Sequence, residues 1–473
     1  MRRARIPSRL APAVALAFCL AGCADRPELP PSRNLLLISL DTLRADALGS
    51  YGSERGASPF LDAWAARSVR FDRAWSHSPK TAPSHMSLFT GLPPRVHGVG
   101  NLESAGVRRL GDDVPTLAEI LQQRGFATAG FSSGGNMKGS LGFDRGFERF
   151  EDESRPLMEK LAAAQRWLSR RPPDRRWFLF LHTYHVHDPY LPPPQVARRF
   201  TDPGYAGRIV GDRARLEALM ESGDDLAPEL EGYNRFVANY WNRVDSEDPA
   251  DVRHLHDLYL ASTAAMDAKL AGFFAWLEQS GHLEDTLVVI TSDHGEEFGE
   301  HRSLRHGQLW REVLHVPLLV RLPGDHAGGL VLEDDVRHVD VAPSLLELLD
   351  VPDTAPLRLG ESWAPWIAEP ERAAPRPVYS EHRSHRDLSL DLWSLRADGW
   401  LLHQDRDGLK LHHLEQDFDE LRPLEDDERR RALEDLQKRE LGRLQALVDR
   451  FATGEGVELD AETRAELEAL GYL

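Results

Sequence analysis

Three short stretches of this 473-residue sequence carry residues whose types could do chemistry together. In LLLISLDTLRADALGSYG an apolar run ends in Asp41, and in DTLVVITSDHGEEFGEH a second run ends in Thr291-Ser292, then Asp293-His294-Gly295. Each reads as a strand that delivers a carboxylate at its carboxyl end, where open α/β sheets gather ligands and catalytic groups. Two carboxylates and an imidazole suit a divalent ion of intermediate hardness, which leaves calcium, manganese and zinc all open. Taken singly, Asp41 and Asp293 read equally well as caps of a turn or helix, with Gly295 permitting a tight turn. Two strand ends converging on one cation favour the metal-site reading.

Between them lies SHSPKTAPSHMSLFTGLPPRVHGV. Pro83 suits the first turn of a helix and Gly91 its end, which places Thr81 at the entry. Backbone amides at a helix start attract anions, so a Thr81 hydroxyl beside a metal could attack a phosphorus or sulfur centre whose oxygens those amides hold. Alone, Thr81 reads as a helix cap. Only the three segments together turn it into a nucleophile.

The elements that must position these groups alternate along the chain. Asn34 to Leu40, Ala127 to Phe131, Trp177 to Leu181, Thr286 to Thr291 and Val316 to Arg321 read as strands. Pro59 to Ala66, Thr116 to Gln123, Pro156 to Ser169, Val252 to Gln279 and Val341 to Leu349 read as helices, several with apolar residues three and four apart. That alternation favours parallel strands and predicts a large α/β domain with a mixed or parallel central sheet covered by helices on both faces. Val196 to Pro249 is charged and reads as a loop-and-helix insertion near the site mouth. After Glu381 the pattern becomes a small α+β unit: strands over Leu392 to Leu402 and Lys410 to Leu414, a turn at Asp405 to Gly408, then a charged, solvated helix from Asp426 to Phe451. The expected divisions are 1–23, 24–32, 33–385 and 386–473.

At the N-terminus, four arginines precede an apolar stretch from Leu10 to Ala21, too short to span a bilayer, which reads as an export signal. It ends in Leu20-Ala21-Gly22-Cys23, which resembles the lipobox of bacterial lipoproteins. That resemblance implies a lipid anchor at Cys23, a tether from Ala24 to Ser32, and a place in the cell envelope. The chain's two cysteines are Cys19 and Cys23, so no disulfide framework is possible. A net charge of −19 argues against nucleic acid as a partner. An anionic substrate must therefore meet a local positive site.

Together the three segments resemble the sulfatase family of the alkaline phosphatase superfamily. Its members carry an aspartate after the first strand, a nucleophile followed by x-Pro-Ser, and a late Asp-His or Asp-Asn pair. The resemblance implies an alkaline-phosphatase-like fold, one divalent ion (calcium by family) on Asp41, Thr81, Asp293 and His294, and sulfate or phosphate ester hydrolysis. LHTYHVHDPYLPP is similar to the family's histidine-proline segment, with His187 where the substrate anion is contacted. HGQLWREVLHVPLLV is similar to its basic segment, with His306 where many members have lysine. His85 stands where the family usually has arginine, and all three histidines are expected to contact the anion.

Two departures bear on the chemistry. Typical sulfatases convert a cysteine or serine to formylglycine, and the extra methyl group of Thr81 blocks that conversion. Thr42 replaces the second aspartate of the family's common pair. Both bring the site nearer the threonine-nucleophile phosphodiesterases and phosphoethanolamine transferases of the superfamily. The substrate expected is a small anionic ester or a sulfated or phosphorylated glycan. Competing readings are a phosphodiesterase or phosphonate monoester hydrolase, transfer of a phosphoryl-linked group to surface glycans or lipids, and an inactive surface-binding protein.

Overall fold

The structure, a computed structural model, describes residues 29–101, 107–355, 359–374, 376–383, 391–451, 454–458 and 464. The export signal and Cys23 lie outside the described residues. The strands are β1 (Asn34–Leu40), β2 (Val69–Trp75), β3 (Ala127–Phe131), β4 (Arg149–Glu151), β5 (Trp177–Thr183), β6 (Thr286–Thr291) and β7 (Glu297–Phe298). They continue with β8 (Leu304–Arg305), β9 (His315–Arg321), β10 (Val331–Arg337), β11 (Val378–Arg383), β12 (Asp391–Ala397), β13 (Trp400–Asp405) and β14 (Gly408–His413). The principal helices are α1 (Pro59–Ala65), α2 (Thr81–Thr90), α3 (Leu117–Gln123), α4 (Leu157–Arg170) and α5 (Arg213–Glu221). They are followed by α6 (Gly232–Trp241), α7 (Pro249–Gln279), α8 (His338–Leu348) and α9 (Asp427–Val448).

Among the described residues, eight strands form one sheet in the order β10-β2-β9-β6-β1-β5-β3-β4. All five expected strands are present. The sheet is mixed, with β9 running antiparallel to both β2 and β6. The central strand β1 is buried along its whole length, and its residues alternate between two cores. Leu35 and Leu37 join Phe178, Phe180, Leu287 and Val289 under α2, α3 and α8. Leu36 and Ile38 join Leu179, Val288 and Ile290 under α1, α4 and α7. Burial on both faces is why the central strands read as unbroken apolar runs.

β2 and β10 escaped the sequence reading. Their sequences, VRFDRAW and VLEDDVR, mix charges into the strand, which is tolerable because β10 closes one edge of the sheet. The stretch from Leu392 to Leu402 is two strands rather than one. Asp398 and Gly399 both take positive φ (51° and 76°), the conformation of a two-residue hairpin turn, and reverse the chain between β12 and β13. The small sheet has the order β11-β12-β13-β14 and begins at Val378, upstream of the expected division after 385. It is not a separate body: Leu395, Leu402 and Leu411, with Leu433 and Leu444 of α9, belong to the same core as the large sheet. The charged helix α9 therefore buries one stripe while its other faces meet solvent.

Buried histidines should make this fold acid-sensitive. Burial pushes the imidazoles of His97 to about 3 and of His77 and His315 to about 4, against roughly 6.5 in an unfolded chain. Between those values the unfolded chain binds more protons than the folded one, so stability rises with pH through the window and is lost as pH falls through it. The melting temperature should be nearly level above about pH 7 and fall steeply between roughly pH 6.5 and 4. A thermal scan whose midpoint stays constant down to pH 4 would contradict this.

Candidate active site

Parallel pairing sets the site's geometry. Ser39 of β1 lies level with His182 of β5 and Thr291 of β6. Two residues beyond that level come Asp41 and Asp293, so neighbouring strands deliver both carboxylates to one place. Asp41, Asp293 and His294 are each fully buried, and each offers a ligand atom within 4.8 Å of the others'.

The turns that carry them are held tightly. Thr42 adopts φ 57°, an unfavourable conformation for a β-branched residue that costs about 1–3 kcal/mol. Its amide donates to Asp293 Oδ1 at 3.3 Å, and its carbonyl accepts from the Tyr259 hydroxyl of α7 at 2.9 Å. The Leu43 amide donates to Ser292 Oγ at 3.0 Å, tying the first turn to the second. Gly295 is needed for close approach rather than for turn conformation. A Cβ there would lie 2.1 Å from the Glu312 carbonyl oxygen, and the Gly295 amide donates to Val313 O at 2.7 Å.

Hydrogen bonds fix which atoms remain for a cation. The Ser133 amide donates to His182 Nδ1, so His182 Nε2 carries the proton that Asp41 Oδ2 accepts at 3.1 Å. Asp41 Oδ1 is left buried without a partner. His294 Nδ1 donates to Gly295 O at 3.0 Å, leaving Nε2 as a lone pair 3.3 Å from Asp293 Oδ2. That Asp293 oxygen, His294 Nε2 and Thr81 Oγ1 also have no hydrogen-bond partner. Four buried polar atoms without partners would each carry a desolvation penalty, and a divalent cation would satisfy the three that lie within 4.8 Å of one another, on Asp41, Asp293 and His294. The donor set therefore fits such an ion.

Electrostatics agree. Burial, and then the charge of Asp293, pushes Asp41 well above the usual carboxylate range. Asp293 resists its own burial because His294 and His85 hold it below that range. Burial lowers His294 to about 4, keeping it the neutral imidazole that a metal requires.

Helix α2 brings Thr81 to this group. Lys80 occupies the position before the helix, and Thr81 is the first helical residue and caps nothing. Ser84 Oγ donates to Asp293 O at 2.6 Å, which docks the first turn against the ligands. The expected cradle of helix amides is smaller than the sequence implied. Ala82 N donates to Asn101 Oδ1, Ser84 N to Lys80 O, and Pro83 has no N–H. The amide of Thr81 is left, with no acceptor present among the described residues.

His85 departs from expectation. Its Nδ1 donates to Thr81 O at 2.8 Å and lies 3.5 Å from Asp293 Oδ2, while its Nε2 accepts from Ser39 Oγ at 2.8 Å. Both nitrogens are engaged by protein and the ring is fully buried, so it holds Thr81 and Asp293 in place instead of facing an anion. His187 and His306 do lie together, with ring centroids 5.2 Å apart, and His306 stands 4.6 Å from His294. His306 Nδ1 pairs with Glu296 Oε1 at 3.1 Å.

Sequence reasoning missed several contributors. His182 follows a recognised strand but meets Asp41 only through the pairing of β5 with β1, and Lys160, which donates to Ser133 Oγ and to His182 O at 2.9 Å, carried no local signal. Lys80 supplies the positive potential that an acidic chain needs here, its charge reaching His294, Glu296 and His306.

Comparison with known proteins bears on this geometry. The model of the sulfatase family matches residues 33–351. Delta 4,5-hexuronate-2-O-sulfatase of Bacteroides thetaiotaomicron is 24% identical over 492 residues, covering 97% of this chain and 97% of that one. The phosphonate monoester hydrolase of Agrobacterium radiobacter superposes with TM-score 0.68 at 22% identity, covering 88% of this chain and 96% of that one. A protein solved in complex with its substrate D-glucosamine-2-N,6-O-disulfate superposes with TM-score 0.70 at 17% identity, covering 89% and 98%. The structural likenesses establish a shared fold, and the family match extends over both strand-end aspartates and the helix that bears Thr81. This chain belongs to the sulfatase family and is a sulfatase-like ester hydrolase.

Proposed function

We propose that the chain hydrolyses anionic esters with Thr81 as nucleophile and one divalent cation held by Asp41, Thr81, Asp293 and His294. The observations that carry this reading are the convergence of Asp41, Asp293 and His294, whose free ligand atoms are buried and unpartnered, and the Thr81 hydroxyl, likewise buried and unpartnered, on a helix docked against Asp293. When bound, the cation would acidify the Thr81 hydroxyl and offset charge on the ester oxygens. The donor set accommodates calcium, which the family favours, as well as manganese or zinc. Thr81 Oγ forms the bond to phosphorus or sulfur as the ester oxygen leaves. His187, His306 and Lys80 face the anion, and one of the two imidazoles takes up the proton that Thr81 loses and passes it to the leaving oxygen. His85 keeps Thr81 aligned.

The names of the relatives favour sulfate, while the nucleophile favours phosphorus. A phosphothreonine can be cleared by water, whereas a sulfated threonine lacks the elimination route open to formylglycine. The substrate class we favour is therefore a phosphate ester or phosphonate monoester. The sugars named for two similar proteins support a glycan as the organic part.

Thr81→Ala should lower kcat by roughly 10⁴–10⁶-fold, the scale for losing a nucleophile. Asp293→Asn should lose bound metal and activity together. Elemental analysis and assays on aryl phosphate mono- and diesters and aryl sulfates check both. Full metal stoichiometry in folded Asp293→Asn would remove that residue from the site.

We further propose that the chain is exported and anchored in the cell envelope by lipid on Cys23, a reading supported by the Leu-Ala-Gly-Cys sequence after the apolar stretch. Cys23→Ala should move the protein from the membrane to the soluble fraction. Wild-type protein that fractionates as soluble without detergent would contradict the anchor.

A further inference from the structure

A cavity of about 250 Å³ opens beside the catalytic histidines. One wall comes from the segment after β5, with Tyr184, His185 and His187; the other comes from the insertion, with Arg213 at the start of α5 and Tyr233 on α6. Its volume falls below the roughly 300–1,000 Å³ of sites for drug-sized ligands, so it suits a single ring.

The lining has a definite chemistry. Tyr184 and Tyr233 present aromatic surface. Ser262 of α7 also lines the cavity and is 3% exposed. One cation, Arg213, lines the cavity and a second, Lys269, stands behind His185, neither with a firm acidic partner. Arg213 lies over the Phe236 ring at 4.4 Å, and its ion pair is a half-exposed contact with Glu217 at 3.3 Å, a type worth little in water. Lys269, two helical turns from Ser262 on the same side of α7, donates to His185 Nε2 at 3.1 Å and pairs with no carboxylate among the described residues. The acid in the lining, Asp188, is compensated at one oxygen: Oδ2 accepts from Trp241 Nε1 at 2.7 Å and lies 3.1 Å from Arg305, while Oδ1, 3.2 Å from His187 Nδ1, makes no hydrogen bond. In a chain of net charge −19, such a place selects for an anion.

We propose that this cavity is the leaving-group subsite and that it takes one sugar-sized ring bearing a second acidic group, a carboxylate or a sulfate, recognised by Arg213 with the Lys269–His185 pair. The proposal deepens the hydrolase reading and rests on it for the term leaving group. Ring binding can be measured without turnover. In the full chain, NMR titrations compare methyl glucoside, methyl glucuronide and methyl sulfoquinovoside, whose sulfonate cannot be hydrolysed, with excess inorganic sulfate present to occupy the ester centre. One or both acidic rings should bind at least about tenfold more tightly than methyl glucoside, and which of them does so identifies the acid. Arg213→Gln should erase most of that preference and Arg213→Lys should restore part of it. Equal binding of all three rings, no binding, or a preference that survives Arg213→Gln but disappears in Asp293→Asn would overturn the proposal. Selective binding of acidic rings by a protein that hydrolyses no phosphate or sulfate ester would instead sink the hydrolase mechanism and leave the subsite standing.

Discussion

Two aspartates buried at the ends of adjacent parallel strands cannot both carry charge unless something positive lies between them. At the 4.8 Å limit that bounds the ligand atoms, two unit charges repel by roughly 3–4 kcal/mol at an effective dielectric near 20, before the cost of burial. Protonating Asp41 relieves that repulsion in the bare protein. A divalent cation would relieve it while also satisfying Asp41 Oδ1, Asp293 Oδ2 and His294 Nε2, which protein atoms leave unpartnered, as they do Thr81 Oγ1. Much of the surrounding architecture makes sense as the means of keeping these atoms from finding protein partners. His182 takes the other oxygen of Asp41, the Thr42 amide takes the other oxygen of Asp293, and the Gly295 carbonyl takes the other nitrogen of His294.

Such preorganisation is costly, and the fold absorbs the cost in rigid elements. Thr42 is kept in a left-handed conformation by Tyr259, which comes from the interior of a 31-residue helix packed under the sheet. His182 is anchored through Ser133 and Lys160, on different elements from Asp41. Misplacing any one of these supports shifts a ligand atom by more than catalysis tolerates. The chemistry at α2 follows the same pattern. One histidine that occupies a family position for an arginine has been turned inward as a brace, and Lys80 at the helix entry carries positive potential toward the mouth.

How much of this was legible follows from what each residue's role depends on. Asp41, Asp293, His294 and Thr81 could be read because each sits at a boundary written locally: an apolar run that stops, or a proline and a glycine that bracket a helix. The central strands were readable because burial on both faces leaves no charge in them. β2 and β10 were not, since strands toward a sheet edge carry charges that disguise the period. The break at Asp398-Gly399 did have a local sign in its Asp-Gly pair, and the apolar residues on either side obscured it. His182, Lys160 and Asn101 act only through neighbours brought together by register and packing, and no spacing along the chain encodes those relations. His85 shows the opposite error. A family position suggested a contact with substrate, whereas two hydrogen bonds inside the protein give the ring another task.

The hydrolase account stands on Thr81 making a bond to substrate. Wild-type protein incubated with bis(4-nitrophenyl) phosphate, quenched in acid and digested, should yield the peptide containing Thr81 with a 4-nitrophenyl phosphoryl adduct on the threonine, detected by mass spectrometry, and Thr81→Ala should yield none. Sustained turnover of an aryl sulfate or phosphate by Thr81→Ala, with no adduct on the wild-type peptide, would contradict the account and point to direct attack by water.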